Sequence, residues 1–387
     1  MGVTSPRGFV AAGAACGVKP GGDPDLALVA TASGRPVPAA GVFTSNKATA
    51  APVLVSRSHL GATGGLAVGV ILNSGNANAA TGATGQQHAA RMCAAVAAPL
   101  GVDVEHVLVC STGLIGIPLP VERIESAAPA LVTALAADGG GRAARAIMTT
   151  DTRQKETVVA GDGFTVGGMA KGAAMLAPNM ATMLAVLTTD AEVDSAGLEA
   201  ALSAGVAGSF NALSTDGCTS TNDTVLLLAS GLAGPVDAAA FHRAVAAACD
   251  DLAGQMAADA EGATKVVRVE VEGAASSADA ERIARRIADS ALCKCSWYGQ
   301  DPYWGRILSE AGSAGADFDM DRASVSYGGI EVARGGVAHD HDEAAVLAHM
   351  QGPQLLVTVS LGLGTSTGRI VTNDLTHAYV DENMGTS

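Results

Sequence analysis

Residues 171–190 read Lys-Gly-Ala-Ala-Met-Leu-Ala-Pro-Asn-Met-Ala-Thr-Met-Leu-Ala-Val-Leu-Thr-Thr-Asp. A loop of small residues runs into Pro178 and Asn179. From Thr182 the chain turns apolar, Met183 to Leu187. Pro178 biases Ala177 towards an extended backbone and opposes a continuous helix. The spacing therefore predicts a loop feeding a buried strand near mid-chain, with Ala181 and Thr182 at the joint. Such a joint could be an ordinary strand entrance. It could also be a bond that the chain cuts itself, exposing Thr182 as a new N-terminus.

Outward from that stretch, strand and helix patterns alternate. Strands are expected at Leu26 to Ala32, Gly41 to Thr44, Pro52 to Ser56, Ala67 to Leu72, Val107 to Cys110 and Phe164 to Gly167. Further strands are expected at Thr224 to Ala229, Val266 to Val271, Gln354 to Gly362 and Arg369 to Thr372. Helices are expected from about Gln86 to Leu100, closed by Gly101, after Pro120, from Ser195 to Ala204 and from Phe241 to Ala258. Another begins at Ser276, with Ile283, Ile287 and Leu292 along one face. This alternation predicts a mixed α/β protein of layered sheets. No domain boundary is readable from composition.

The chain has 387 residues, of which 48% are hydrophobic and 3% aromatic. Disorder is excluded by that apolar content, and the core should be built from Ala and Val. Net charge is −15, unevenly placed. Residues 1–181 carry 12 Lys+Arg against 10 Asp+Glu, and residues 182–387 carry 11 against 28. An acidic chain without a basic run is a poor partner for nucleic acid or an anionic membrane. No window approaches the roughly 20 apolar residues of a membrane span, and residues 1–10 lack a signal peptide's apolar core. A cytoplasmic protein is expected. Seven scattered cysteines read as free thiols. Cys293 and Cys295, or His339 and His341, are weak metal signals, and the second pair reads better as an acidic turn before a helix. No metal or cofactor is expected.

Polar, uncharged loops recur at strand ends: 73–82, 111–113, 149–152 and 214–223. Such loops suit turns. They equally suit an oxyanion site, where donors meet a developing negative oxygen. No Ser-His-Asp pattern, Gly-x-Ser-x-Gly elbow or phosphate loop is present. An N-terminal threonine needs no histidine, because its own α-amine, with an ordinary pKa of about 7.7–8, can serve as base for its hydroxyl.

Eight blocks carry a family resemblance: Asn73-Ser-Gly-Asn-Ala-Asn-Ala, Ser111-Thr-Gly, Met148-Thr-Thr-Asp-Thr, Gly167-Gly-Met-Ala-Lys-Gly, Met180-Ala-Thr-Met-Leu, Ser220-Thr-Asn-Asp-Thr, Glu261-Gly-Ala-Thr-Lys and Asp301-Pro-Tyr-Trp-Gly-Arg. In this order, over nearly the whole chain, the sequence resembles the ornithine acetyltransferases, or glutamate N-acetyltransferases, of arginine biosynthesis. The resemblance implies a layered α-β-β-α fold of the ornithine acetyltransferase and DmpA-like type. It implies self-cleavage between Ala181 and Thr182 into an α chain, 1–181, and a β chain, 182–387, intertwined in one globular unit, with two copies of each assembling. Thr182 would take acetyl from N-acetylornithine and pass it to glutamate in a ping-pong cycle, with acetyl-CoA as a further donor in the bifunctional branch. By the same resemblance the oxyanion pair falls on Thr112 and Gly113. Substrate contacts fall on Thr149, Lys171, Thr182, Glu261, Asn383 and Ser387, or Thr386 if the short tail shifts the register. Ala174, Tyr303 and the Cys293-Lys-Cys295 run depart from the family pattern. They leave open a paralogue of specialised metabolism with altered substrates, and an N-terminal-threonine amidohydrolase or aminopeptidase is the alternative in another reaction class. An uncut, inactive relative with a binding role is the third reading.

Overall fold

A computed structural model describes residues 2–175 and 183–384. The chain divides into two compact units, residues 1–211 with 218–256, and residues 212–217 with 257–387.

The first unit opens with β1 (Phe9–Ala14), β2 (Leu26–Thr31), β3 (Val37–Phe43), α1 (Ala51–Ala62), β4 (Leu66–Ala67) and β5 (Gly69–Asn76). It continues through α2 (Gly82–Leu100), β6 (Val107–Leu114), α3 (Val121–Thr133), α4 (Gly140–Ala146), β7 (Lys155–Ala160) and β8 (Thr165–Lys171). Then come β9 (Leu184–Glu192), α5 (Ser195–Gly208), β10 (Thr224–Pro235) and α6 (Ala238–Ala257). A four-stranded sheet runs β1-β2-β5-β6, and a six-stranded sheet runs β4-β3-β10-β9-β8-β7. The larger sheet takes strands from both sides of residues 181–182. Two of its pairings matter most: β8 lies antiparallel to β9, and β9 lies parallel to β10.

Period-two alternation explains the layers. Ala27, Val29, Val70, Leu72, Leu108 and Cys110 face Met169, Leu184, Val186, Leu226 and Leu228, so one core lies between the two sheets. On the opposite face of the smaller sheet, Leu26, Leu28, Ile71 and Val109 meet Met92, Cys93 and Val96 of α2 and Ile124 and Leu131 of α3. Beyond the larger sheet lie α5 and α6: Phe241 packs on Phe164 with ring centroids 5.9 Å apart, and Gly205 faces Cys249. The order helix, sheet, sheet, helix is the expected layering.

The second unit holds β11 (Val266–Ala274), α7 (Ser277–Ala288), α8 (Ala291–Tyr298), α9 (Trp304–Gly312), β12 (Ser324–Tyr327) and β13 (Ile330–Arg334). It ends with β14 (Val337–Ala338), α10 (Glu343–Gln351), β15 (Gln354–Ser360), β16 (Ser366–Asn373) and α11 (His377–Asn383). Its sheet runs β14-β13-β12-β15-β11-β16. Val267, Val269 and Val271 alternate inward against Ile283, Ile287, Trp297 and Ile307.

Two expectations are corrected. Pro52 to Ser56 is not a strand but the start of α1, because Pro52 occupies the first turn, where a missing N–H costs nothing. Leu292 does not continue the α7 face. The helix stops at Asp289, Ser290 caps a new helix, and Leu292 is 60% exposed. The acidic turn at 339–342 does precede a helix, with the Asp342 carboxylate capping α10 through the Ala345 N–H.

Candidate active site

Ala181, Thr182 and Ser387, with its alternative Thr386, lie outside the described residues. Met183 follows Thr182 directly and is buried at the head of β9. Its N–H donates to Oδ1 of Asp223 at 2.9 Å. Its carbonyl accepts from the Thr224 N–H at 3.3 Å. The residue before Asp223 reaches the other sheet: Asn222 Nδ2 donates to the carbonyls of Ser111 at 2.9 Å and Ala77 at 2.5 Å. The dipeptide 222–223 therefore ties the start of β9 to the end of β6, where Thr112 and Gly113 sit.

That strand end leaves no room for a side chain at Gly113. Gly113 has φ +133°, and a Cβ there would stand 2.2 Å from the Gly75 carbonyl carbon, so only glycine fits. The β5–β6 register slips at Gly75 and Asn76. Thr112 is buried, and its hydroxyl has no hydrogen-bond partner among the described residues; the same holds for Ser111. An unmet buried hydroxyl costs about 1–3 kcal/mol and calls for a reason. A buried donor of this kind is the type of group that an oxyanion site uses.

Lys171 closes β8 and is buried, with Nζ 3.9 Å from Oδ2 of Asp151. Asp151 is the hub of that corner. Its Oδ1 accepts from Lys155 Nζ at 2.6 Å and from the Gly172 N–H at 2.7 Å, and its Oδ2 accepts from the Thr149 N–H at 3.0 Å. Burial alone would raise the Asp151 carboxyl. The fields of Lys171 and Lys155 and these donors overcome it and hold the group at about 2. Thr149 and Lys171, both expected as substrate contacts, are thus brought together through Asp151.

Lys19 belongs to the same corner and was not among the expected residues. Its Nζ donates to the carbonyls of Met148 at 2.6 Å and Pro24 at 3.0 Å, while Asp25 collects the N–H groups of Cys16, Gly17 and Lys19. Burial lowers the Lys19 pKa, Asp25 and Asp23 oppose this, and Lys171 adds to the lowering. Its stem fills the space a side chain at Gly75 would need. The sequence signal was a lone lysine in a glycine-rich loop between strands, which by itself says nothing of burial. In the sequence, Asp223 stands out only as a member of the 214–223 loop and of the Ser220-Thr-Asn-Asp-Thr block. Its carboxyl is fully buried, and burial pushes it well above the usual carboxylate range against the pull of the Met183 N–H, Ser220 and Lys171.

In the second unit, Glu261 Oε2 accepts from Asn383 Nδ2 at 2.8 Å, and the same amide donates to the Tyr379 carbonyl at 2.9 Å. Gly262, at φ +62°, lies against the Tyr379 backbone, where a Cβ would stand 2.2 Å from its nitrogen. Glu261 and Asn383, both expected as substrate contacts and 122 residues apart in sequence, are therefore partners. Among the described residues no group of three or more His, Cys, Asp or Glu could hold a metal ion, and no helix is long and apolar enough to cross a membrane. Of the departures, Tyr303 is exposed, Cys293 is buried and Cys295 exposed on α8.

The ArgJ family model matches residues 10–385. The chain belongs to the ArgJ family. It is 48% identical over 389 residues to the arginine biosynthesis bifunctional protein ArgJ of Streptomyces avermitilis, covering all of both chains. It is 47% identical over 388 residues to that of Thermobifida fusca, again over the full length of each. Among solved structures, ornithine acetyltransferase from Mycobacterium tuberculosis complexed with ornithine is 42% identical, with a TM-score of 0.42 over 46% of this chain and 94% of that one. The resemblance to ornithine acetyltransferases drawn from the eight sequence blocks holds at the level of the ArgJ family.

Proposed function

We propose that this ArgJ-family chain is a self-processing acetyltransferase with Thr182 as its nucleophile. The hydroxyl of Thr182 attacks the Ala181 carbonyl, forming an ester as the peptide C–N bond breaks. Water then hydrolyses that ester, leaving Ala181 as a carboxylate and Thr182 with a free α-amine. The products are an α chain, 1–181, and a β chain, 182–387, which stay together through the six-stranded sheet and assemble as two of each. The amine next takes the hydroxyl proton as Oγ1 attacks the acetyl carbonyl of N2-acetylornithine. Ornithine leaves with its nitrogen protonated, and the acetyl ester on Thr182 is opened by the amine of glutamate, giving N-acetylglutamate. Thr112 and Gly113 are assigned to the oxyanion of each tetrahedral intermediate.

The observation that carries this reading is the 222–223 bridge, which links the residue after Thr182 to the strand bearing Thr112. Lys171, with its fixed Asp151 partner, is assigned to a substrate carboxylate, and Thr149 to the same corner. Glu261 and Asn383 are assigned to a substrate ammonium group on the strength of their mutual pairing. Ser387, or Thr386, completes the assigned contacts. The bifunctional name of the relatives supports a second donor, which we take to be acetyl-CoA.

Intact mass of the purified protein tests the first step, and two fragments joining at residues 181 and 182 are expected. With acetylornithine and glutamate, acetyl should move between amines; release of free acetate without transfer would favour the amidohydrolase reading instead. Lys171→Met should raise KM for the carboxylate-bearing substrate by roughly 10- to 100-fold, the loss of one charge-assisted contact. An unchanged KM would remove Lys171 from its role.

A further inference from the structure

The pairing of Glu261 with Asn383 depends on a chain segment that the acetyl-transfer reading does not use. Glu261 lies in the loop before β11, and Asn383 ends α11. Asp374, buried just after β16, links the two. Its Oδ1 accepts from the N–H groups of Thr264 and Lys265, both at 2.9 Å, and its Oδ2 accepts from the Thr264 hydroxyl. Two residues on, the Thr376 hydroxyl donates to the Gly262 carbonyl and accepts from the Tyr379 N–H at 3.3 Å at the start of α11. Residues 374–379 are thus fastened to 262–265, which directly follow Glu261. The segment is held a second time by Lys294 of α8. That lysine is buried, and its Nζ donates to the Thr372 hydroxyl and to the Asn373 carbonyl at 2.8 Å. Its own carbonyl accepts from the Leu375 N–H at 3.4 Å. The residues flanking Asp374 are therefore fixed to α8, while the carboxylate between them grips the Glu261 loop.

What the clasp presents follows from the donor count. Both amide hydrogens of Asn383 are spent, one on Glu261 Oε2 and one on the Tyr379 carbonyl. The remaining polar atom of that amide is its oxygen, an acceptor, and an ionised Glu261 also only accepts. Two acceptors with a negative charge suit a cation that has hydrogens to donate, and they oppose a carboxylate in the same place.

We propose that Asp374 is the positioning residue of this pair: by gripping Thr264 and Lys265 it sets Glu261 against Asn383, and so makes the site selective for an acyl donor with a cationic side chain. The assignment rests on the role given to Glu261 and Asn383 above. Asp374 acts through Glu261 and takes no part in making or breaking bonds. Its effect is therefore on which donor is used well, since a displacement of the pair by about 1 Å is enough to lose much of a directed contact.

The test measures kcat/KM for two donors with glutamate as acceptor: N2-acetylornithine, and N2-acetylnorvaline, which lacks the side-chain ammonium. In wild type the ratio of the two reads the preference for the cation. Asp374→Asn keeps the size of the side chain but turns one acceptor into a donor, facing groups that need an acceptor. The ratio should fall by about tenfold, carried by acetylornithine, with acetylnorvaline used as before. A purely structural role lowers both donors in proportion, so an unchanged ratio overturns the assignment. If Asp374→Asn does not fold, Thr264→Val removes the hydroxyl bond alone, and the ratio should fall by about threefold. There too an unchanged ratio overturns it. Glu261→Gln separates this role from the reading beneath it. If Glu261→Gln keeps the wild-type ratio, the ammonium assignment of Glu261 and Asn383 fails, and the role of Asp374 with it. If Glu261→Gln abolishes the preference while Asp374→Asn leaves it intact, the role of Asp374 alone is overturned.

Discussion

Asp151 and Asp223 are both buried aspartates in the same unit, and their environments push them in opposite directions. Asp151 has two lysines and two backbone N–H groups, so its charge is over-compensated and its carboxyl sits at about 2. Asp223 has the Met183 N–H, the Ser220 hydroxyl and the more distant field of Lys171, and burial outweighs them, so the carboxyl rises. The first is a finished ion cluster whose work is to hold Lys171 and the 149–151 corner. The second has no cation in contact to offset its burial. A buried carboxyl beside cations keeps its charge to lower pH, and one held by neutral donors gives it up sooner.

The contrast can be broken most forcefully at Asp151. Asp151→Ala leaves Lys155 and Lys171 buried beside each other, and stability should drop by about 3–5 kcal/mol in denaturant unfolding. A loss below about 1 kcal/mol would show that the cluster is not holding its charge. Next in size is the acid response of the wild type. The Asp151 carboxyl is depressed in the folded state, so its stabilisation is complete above its unfolded value and is lost as pH falls from about 4 towards about 2. The loss is on the order of 2 kcal/mol. Unfolding midpoints measured across that window should show it, and Asp151→Asn should not.

The smallest expected effect is on the other side. Asp223 has a raised carboxyl, so its contribution is present below the unfolded value and lost as pH rises through the folded one. Replacing it with neutral Asn should change stability at neutral pH by no more than about 1 kcal/mol. A loss as large as that of Asp151→Ala would mean that Asp223 is structural after all.

Most of the layering was legible in the chain, because it depends on local rules. Period-two alternation located the strands, Ser276 opened its helix, and Gly101 closed α2 in the left-handed region at φ +68°. The failures came where a local rule had two outcomes. Pro-Val-Leu-Val at 52–55 is compatible with a strand or with the first turn of a helix, and only packing against the small sheet decides. The Ser-Thr-Gly and Met-Thr-Thr-Asp-Thr blocks were noticed as polar strand ends, yet the pairing of Asp151 with Lys155 and Lys171 needs the fold to bring residues together. Lys19 and Asp223 escaped for the same reason: their burial, and therefore their chemistry, is set by residues more than a hundred positions away in one case and forty in the other.

The most direct test of the account is to mix the protein with acetylornithine alone, quench, and measure intact masses. Two fragments should appear, the one beginning at Thr182 heavier by one acetyl group. Thr182→Ala should instead give a single unmodified chain of 387 residues. A wild type that stays uncut, or that cuts but never carries acetyl on the 182–387 fragment, would contradict it.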